Sequence, residues 1–165
     1  MNRFLKLSLL VVLLLPIGCS TLHSTGNHAK ALNTQQTPLL LDNEIKQLLQ
    51  QEMQAIQSGM MSLIPVIASG DWEQVATIGK QLEGSYILKQ KLSIEQRHAL
   101  HKSLPTGFIK QDQAFHRSAG MLAHAAEMGH ADIVNFYFYK LNAACVACHT
   151  EYATHRFPNL VAKEG

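Results

Sequence analysis

The chain has 165 residues, 47% of them hydrophobic and 16% charged, with three Cys and nine His. That length suits one domain with a real core; the composition excludes a disordered chain, and three Cys cannot make a disulfide framework without a remainder. Setting aside Arg3 and Lys6, which lie in a leading segment, leaves 12 Lys and Arg against 12 Asp and Glu, so the formal +2 disappears and a basic nucleic-acid module is excluded too.

Residues 1–18 read as a bacterial export signal. Arg3 and Lys6 supply its positive start, and 9–15 is an unbroken apolar run. The run is far short of the about 20 residues that span a bilayer. It ends in Pro16-Ile17-Gly18-Cys19-Ser20. A small residue directly before a Cys resembles the lipobox of bacterial lipoproteins, which implies a lipidated Cys19 as the mature N-terminus. That family usually has Leu where Pro16 stands, and an ordinary cleaved signal with an incidental Cys19 is the alternative. Ser20 in place of Asp resembles the pattern sorted to the outer membrane of Gram-negative bacteria, so the expected location is periplasmic and lipid-anchored. Residues 19–38 are Ser, Thr, Asn, Gln, His and Gly with few large apolar side chains, a polar tether.

Residues 39–165 read as one all-α domain. From Leu39 the pattern is helical: Leu48, Leu49, Met53, Ile56, Met60, Leu63, Ile64 and Ile67 recur at intervals of three and four, with Gln47, Gln50, Gln51, Gln54 and Gln57 opposite. Pro65 predicts a bend or a loosened last turn, and Gly70 the end. Asp71 with Gln74 reads as a capping box opening a helix with the stripe Val75, Ile78 and Leu82. A second box, Ser93-x-x-Gln96, predicts a short extra helix up to Ser103. The third long helix runs from about Phe108 to Met128, with Phe108, Phe115 and Leu122 at intervals of seven and Ala119 and Ala126 between. The last starts near Asp132, carries Ile133, Val134, Phe138, Leu141, Cys145, Cys148 and Tyr152 on one side, and is limited by Pro158. No window alternates for long enough to be a strand. Four amphipathic helices with short links predict an antiparallel four-helix bundle, an architecture whose core commonly hosts a cofactor.

Cys145-Val146-Ala147-Cys148-His149 is C-x-x-C-H, the attachment sequence for one covalently bound haem c. Two thiols three residues apart on a helix can each form a thioether to a haem vinyl group, and the following His149 then faces the iron as an axial ligand. A thioredoxin-like redox pair would need a βαβ context. Half of a zinc site would need two further ligands, and two inert buried thiols would sit badly in an oxidising compartment.

From Phe108-Ile-Lys-Gln-Asp-Gln-Ala-Phe115 through Ala123 and Gly129 to Cys145-Val-Ala-Cys-His149-Thr-Glu-Tyr152, the chain resembles cytochrome c-prime, the class II cytochromes c. Met61-Ser-Leu-Ile-Pro65-Val-Ile and Gly70 are similar to that family's first helix. The resemblance spans roughly 40–156 and is weakest over 83–106. It implies a four-helix bundle, usually dimeric, with one haem near the C-terminus.

The resemblance also frames the sixth ligand. High-spin members close the distal side of the haem with a bulky apolar residue and bind nitric oxide or carbon monoxide; low-spin members place a Met there and carry electrons. Aligned on Pro65, the ligand position falls on Met53, and a thioether ligand would favour Fe(II) and raise the potential. Met on an inner stripe is otherwise core filler, and Met60 and Met61 are the candidates in another register. Tyr152 matches the family's aromatic and is expected to pack on the porphyrin. Arg156 is a candidate partner for a haem propionate, although the family's basic residue aligns with Ala153; on the first helix the family's propionate-binding Arg aligns with Leu49, and Lys46 is the substitute. His116 and His124 would each reach a haem edge or sit at the surface. His23, His28, His98, His101, His130 and His155 take surface or tether roles. The run Phe136 to Tyr139 covers every side of its helix, which predicts a helix-packing or homodimer surface.

The expected function is therefore a periplasmic one-electron carrier with His149 and Met53 as metal ligands and Cys145 and Cys148 holding the haem. No catalytic residue is expected and the chain is not read as an enzyme. The alternatives are a five-coordinate cytochrome c-prime that binds nitric oxide or carbon monoxide, and a membrane-tethered scaffold using the Cys pair for zinc. The redox partner is a protein of unspecified identity, and no nucleic acid is expected.

Overall fold

The computed structural model describes residues 39, 41–86, 88, 90 and 92–161. The export signal, Cys19 and the tether lie outside the described residues. Those described form five α-helices and no strand: α1 (Asn43–Ser69), α2 (Trp72–Gly84), α3 (Ile94–Ser103), α4 (Thr106–Glu127) and α5 (Ala131–Tyr152), followed by a short 3-10 turn at Pro158–Leu160. None of these helices is long and apolar enough to cross a membrane.

The helix ends follow local chemistry. α1 starts at Asn43, four residues later than the periodicity suggests, because the Asp42 carboxylate accepts from the Ile45 N–H at 2.9 Å and sets the first turn. The helix then runs on through Pro65 to Ser69. The missing Pro N–H would have met the carbonyl of Met61, whose side chain is 64% exposed, so the loss falls on the water-facing side. Gly70 closes the helix at φ 71°, in the left-handed region, while its N–H and that of Asp71 reach the carbonyls of Ile67 and Val66. Asp71 caps α2 by accepting from the Gln74 N–H at 3.1 Å; only this half of the expected box forms. At α3 both halves form: Ser93 N–H donates to Gln96 Oε1 at 3.0 Å and Gln96 N–H to Ser93 Oγ at 3.2 Å. α4 begins two residues before Phe108 and ends at Met128 and Gly129, as expected.

α4 lies at the centre. It packs against α2 on one side and α5 on the other, α1 packs against α2, and α1 and α5 touch only lightly. Gly79 sets the α2–α4 distance, since a Cβ there would lie 2.9 Å from the Ala123 Cβ. The main core gathers Ile56 and Leu63 from α1, Val75, Ala76 and Leu82 from α2, Phe115, Ala119, Leu122, Ala125 and Ala126 from α4, and Val134 and Leu141 from α5. Burying these side chains at about 25 cal/mol per Å² is what holds the helices together. A second small cluster joins Ile45 and Leu92 to Leu100, the one buried residue of α3.

Two assignments to the inner stripes need correction. Ile64 is 59% exposed and Ile133 42% exposed. In both cases a true core residue is the immediate chain neighbour, Leu63 or Val134, and the next position on a helix points about 100° away. The actual inner line of α1 is Ile45, Glu52, Ile56, Gly59 and Leu63, which carries a carboxylate in its middle. Phe136 and Tyr139 are 51% and 65% exposed, while Tyr137 and Phe138 lie against the core.

Candidate functional site

Cys145, Cys148 and His149 occupy the last two turns of α5. Both Cys are free thiols and half-buried. Burial pushes the Cys145 thiol up, and Cys148 is pushed up to about 12, first by burial and then by the negative charges of Asp112, Cys145 and Glu151. Both shifts favour the protonated thiol over the thiolate at neutral pH. His149 is half-buried; burial, and then the positive charge of Arg156, hold its imidazole below the usual value. Its ring is thus neutral at neutral pH, with a nitrogen lone pair available to a metal. The imidazole lies face to face with Phe157, ring centres 4.1 Å apart and planes 8° from parallel.

One turn beyond, Tyr152 is buried edge-on against Phe108, ring centres 5.3 Å apart. Its hydroxyl is pushed up to about 12, first by burial and then by hydrogen bonding to Glu151. Glu151 Oε2 also accepts from Gln111 Nε2 at 2.6 Å, which ties α4 to the end of α5; Gln111 Oε1 is buried without a partner among the described residues. Arg156 is exposed on the turn after α5, where its N–H donates to the Ala153 carbonyl. That turn brings its charge to bear on His149. Ala153 is the C-cap of α5.

Met53 is half-buried on α1 and borders the main core, as Cys145 does from α5. Met60, two turns further along α1, shares that inner side; Met61 points to solvent. Lys46 is exposed. His116 is not at the surface, contrary to one of its two expected placements. It is 5% exposed, its Nδ1 lies 2.6 Å from the Leu82 carbonyl, and its Nε2 lies 3.4 Å from Asp112 Oδ1. The imidazole pins α4 to the last turn of α2. His124 is exposed, 3.9 Å from Glu127. His98, His101, His130 and His155 are exposed.

A haem needs two thiols one turn apart, a neutral imidazole beside them and an apolar slot for a flat ring. Cys145, Cys148 and His149 match the first two needs. For the third, Met53 on α1 and Cys145 on α5 both border the main core, and α1 and α5 touch only lightly. Among the described residues no three His, Cys, Asp or Glu side chains converge to hold a metal ion, so the Cys pair gains no further ligand of the kind zinc requires. Two clefts of about 490 and 200 Å³ lie along α2 and α4, and neither is lined by the Cys or His149.

Two side chains escaped the sequence reading. Glu52 is buried, although its place in the Ile45, Ile56, Gly59 and Leu63 spacing does point it inward. Phe157 lies eight residues beyond His149, and no periodicity could have paired them. Comparison with protein-family models, curated proteins and solved structures finds no match for this chain.

Proposed function

We propose that this chain is a monohaem c-type cytochrome of the cytochrome c-prime type, a four-helix bundle of α1, α2, α4 and α5 that carries one electron at a time in the periplasm. The observation that carries the reading is Cys145-x-x-Cys148-His149 at the C-terminal end of α5, with both thiols free and half-buried. A bound haem would supply the chemistry, an iron exchanging one electron between Fe(II) and Fe(III).

The protein's part is to hold and tune it. Cys145 and Cys148 would anchor the ring through thioethers, which release no thiol back to solvent. His149 and Met53 would hold the iron, the thioether sulfur favouring Fe(II). Tyr152, Phe108 and the core side chains would exclude water, and Arg156 would answer a propionate charge. The sequence carries no motif of paired acids or of a nucleophile with its base, so the role is transfer rather than catalysis. A lipidated Cys19 and the tether at 19–38 would hold the domain near the outer membrane. A redox protein or a second copy of this chain would meet its surface, where Phe136 and Tyr139 are exposed.

Packing of Met53 against the core also suits its being filler, which favours a second reading: five-coordinate iron that binds nitric oxide or carbon monoxide. Oxidised and reduced absorption spectra of the full chain, expressed with export and haem attachment, separate the two. Low-spin bands with a Met–iron charge-transfer feature support the first, and high-spin bands the second. The absence of a Soret band would sink both.

A further inference from the structure

We infer that Phe157 is a positioning residue for His149, holding the imidazole plane in one orientation and covering one of its faces. This rests on the reading of His149 as an axial ligand. A His ring turns about its Cβ–Cγ bond in a broad, shallow well, so an axial imidazole needs something to set its plane. Metal-bound His rings are usually oriented by a hydrogen bond from the second nitrogen. Here the observed neighbour is a parallel aromatic ring at 4.1 Å and 8°.

The backbone presents that ring from a braced turn. After α5 the chain folds back, with Arg156 N–H donating to the Ala153 carbonyl at 2.9 Å and Phe157 N–H reaching the Ala153 and Thr154 carbonyls at 3.1 and 3.2 Å. On the other side the Phe157 carbonyl accepts from Leu160 N–H at 3.0 Å, closing the Pro158–Leu160 turn. Pro158 further restricts the backbone of the residue before it. Phe157 is thus held on both its N–H and its C=O while its ring spans back to the helix. One face of the imidazole is covered, and the other, with its edge nitrogens, is left to neighbours. Phe157 is 38% exposed, so its ring is partly open to solvent while its face lies on the imidazole.

The test uses the full chain carrying haem, as wild type and as Phe157→Ala, Phe157→Leu and Phe157→Trp. Electron paramagnetic resonance of the oxidised protein reports how the axial ligand planes lie. A single sharp low-spin signal is expected for wild type, its loss to a broadened or split signal in the Ala and Leu variants, and its return in the Trp variant. Leu keeps the apolar volume and guards against a simple folding defect. An Ala or Leu signal superimposable on wild type, with haem present, overturns the inference while leaving the proposed function intact. If the wild-type iron is high-spin, the comparison moves to the proton shifts of the His149 ring: a shift in the Ala and Leu variants supports the inference, and unchanged shifts overturn it. A wild-type chain without haem overturns the proposed function and this inference with it.

Discussion

Ser85 Oγ–H donates to Glu52 Oε1 at 2.7 Å, joining the end of α2 to the middle of α1 in the protein interior. Both residues are 1% exposed, and Ser85 holds a φ of 57°, in the left-handed region where a non-Gly residue costs energy. The same carboxylate accepts from Tyr86 N–H at 3.0 Å and Leu88 N–H at 3.1 Å. A buried carboxyl group is tolerated only with such partners, and its oxygens in turn satisfy the donors of the strained turn. Glu52→Ala would leave three donors without this acceptor and should cost about 3–5 kcal/mol. Glu52→Gln puts an NH₂ where one acceptor stood and should cost about 1–3 kcal/mol. Chemical denaturation gives both values; an Ala variant within about 0.5 kcal/mol of wild type would mean that the network carries no stability.

If the proposed haem is held by His149 and Met53, Met53→Leu should convert low-spin iron to high-spin without loss of covalent haem. Leu keeps nearly the volume of Met, so a core role is preserved at a cost below about 1.5 kcal/mol, while the sulfur is gone. Absorption spectra read the change, and an unaltered low-spin spectrum would place the sixth ligand elsewhere. Met60→Leu is the control, expected to leave the spectrum as it was.

His116→Leu should destabilise the protein by about 1–2 kcal/mol, through loss of the 2.6 Å hydrogen bond to the Leu82 carbonyl at the end of α2. The haem spectrum should not change, because the ring is committed between α2 and Asp112. His124→Leu, at an exposed position, should shift stability by no more than about 0.5 kcal/mol. Thermal melts and spectra of the two variants together decide the point; a spectral change in the His116 variant would return that residue to the ligand candidates.

Lys80 Nζ and Glu127 Oε1, 2.5 Å apart, join α2 to α4 at the surface. The hydrogen bond from Lys80, and then its charge, hold the Glu127 carboxyl below its ordinary value of 4.5, and the same pairing raises Lys80 above 10.5. A depressed carboxyl contributes stability above its ordinary value and loses it as pH falls through the lower folded value. A raised ammonium contributes below its ordinary value and loses it as pH climbs through the folded one. The difference in Tm between wild type and Lys80→Met should therefore be present at neutral pH, fade below pH 4.5 and above pH 10.5, and shrink in high salt. A difference that stays constant from about pH 3 to about pH 7, which brackets the carboxylate range, would show that the pair is not its source.

Much of the fold was legible because helix periodicity and capping are local. The Ser93 and Gln96 box, the Phe108, Phe115 and Leu122 heptads and the Gly70 stop each depend on short-range spacing along the chain. The inner lines of α1 and α5 were legible only to about 100°: Ile64 and Ile133 read as inward next to the true core positions Leu63 and Val134. Apolar character alone does not say which of two adjacent apolar residues the neighbouring helix covers.

By itself the sequence determined the all-α class, the stops at Gly70 and Gly129, and the C-x-x-C-H spacing on the last helix, since all of these are short-range. Only the tertiary structure decided which polar groups went inside and what surrounds His149. Glu52 is buried because the turn at Ser85, Tyr86 and Leu88, more than thirty residues away, brings its donors to the carboxylate. His116 is buried because α2 ends where its ring can reach the Leu82 carbonyl. Phe157 meets His149 because the chain reverses after Tyr152. Burying a charge or stacking a ring depends on partners that arrive from distant parts of the chain, and no local pattern records which ones arrive.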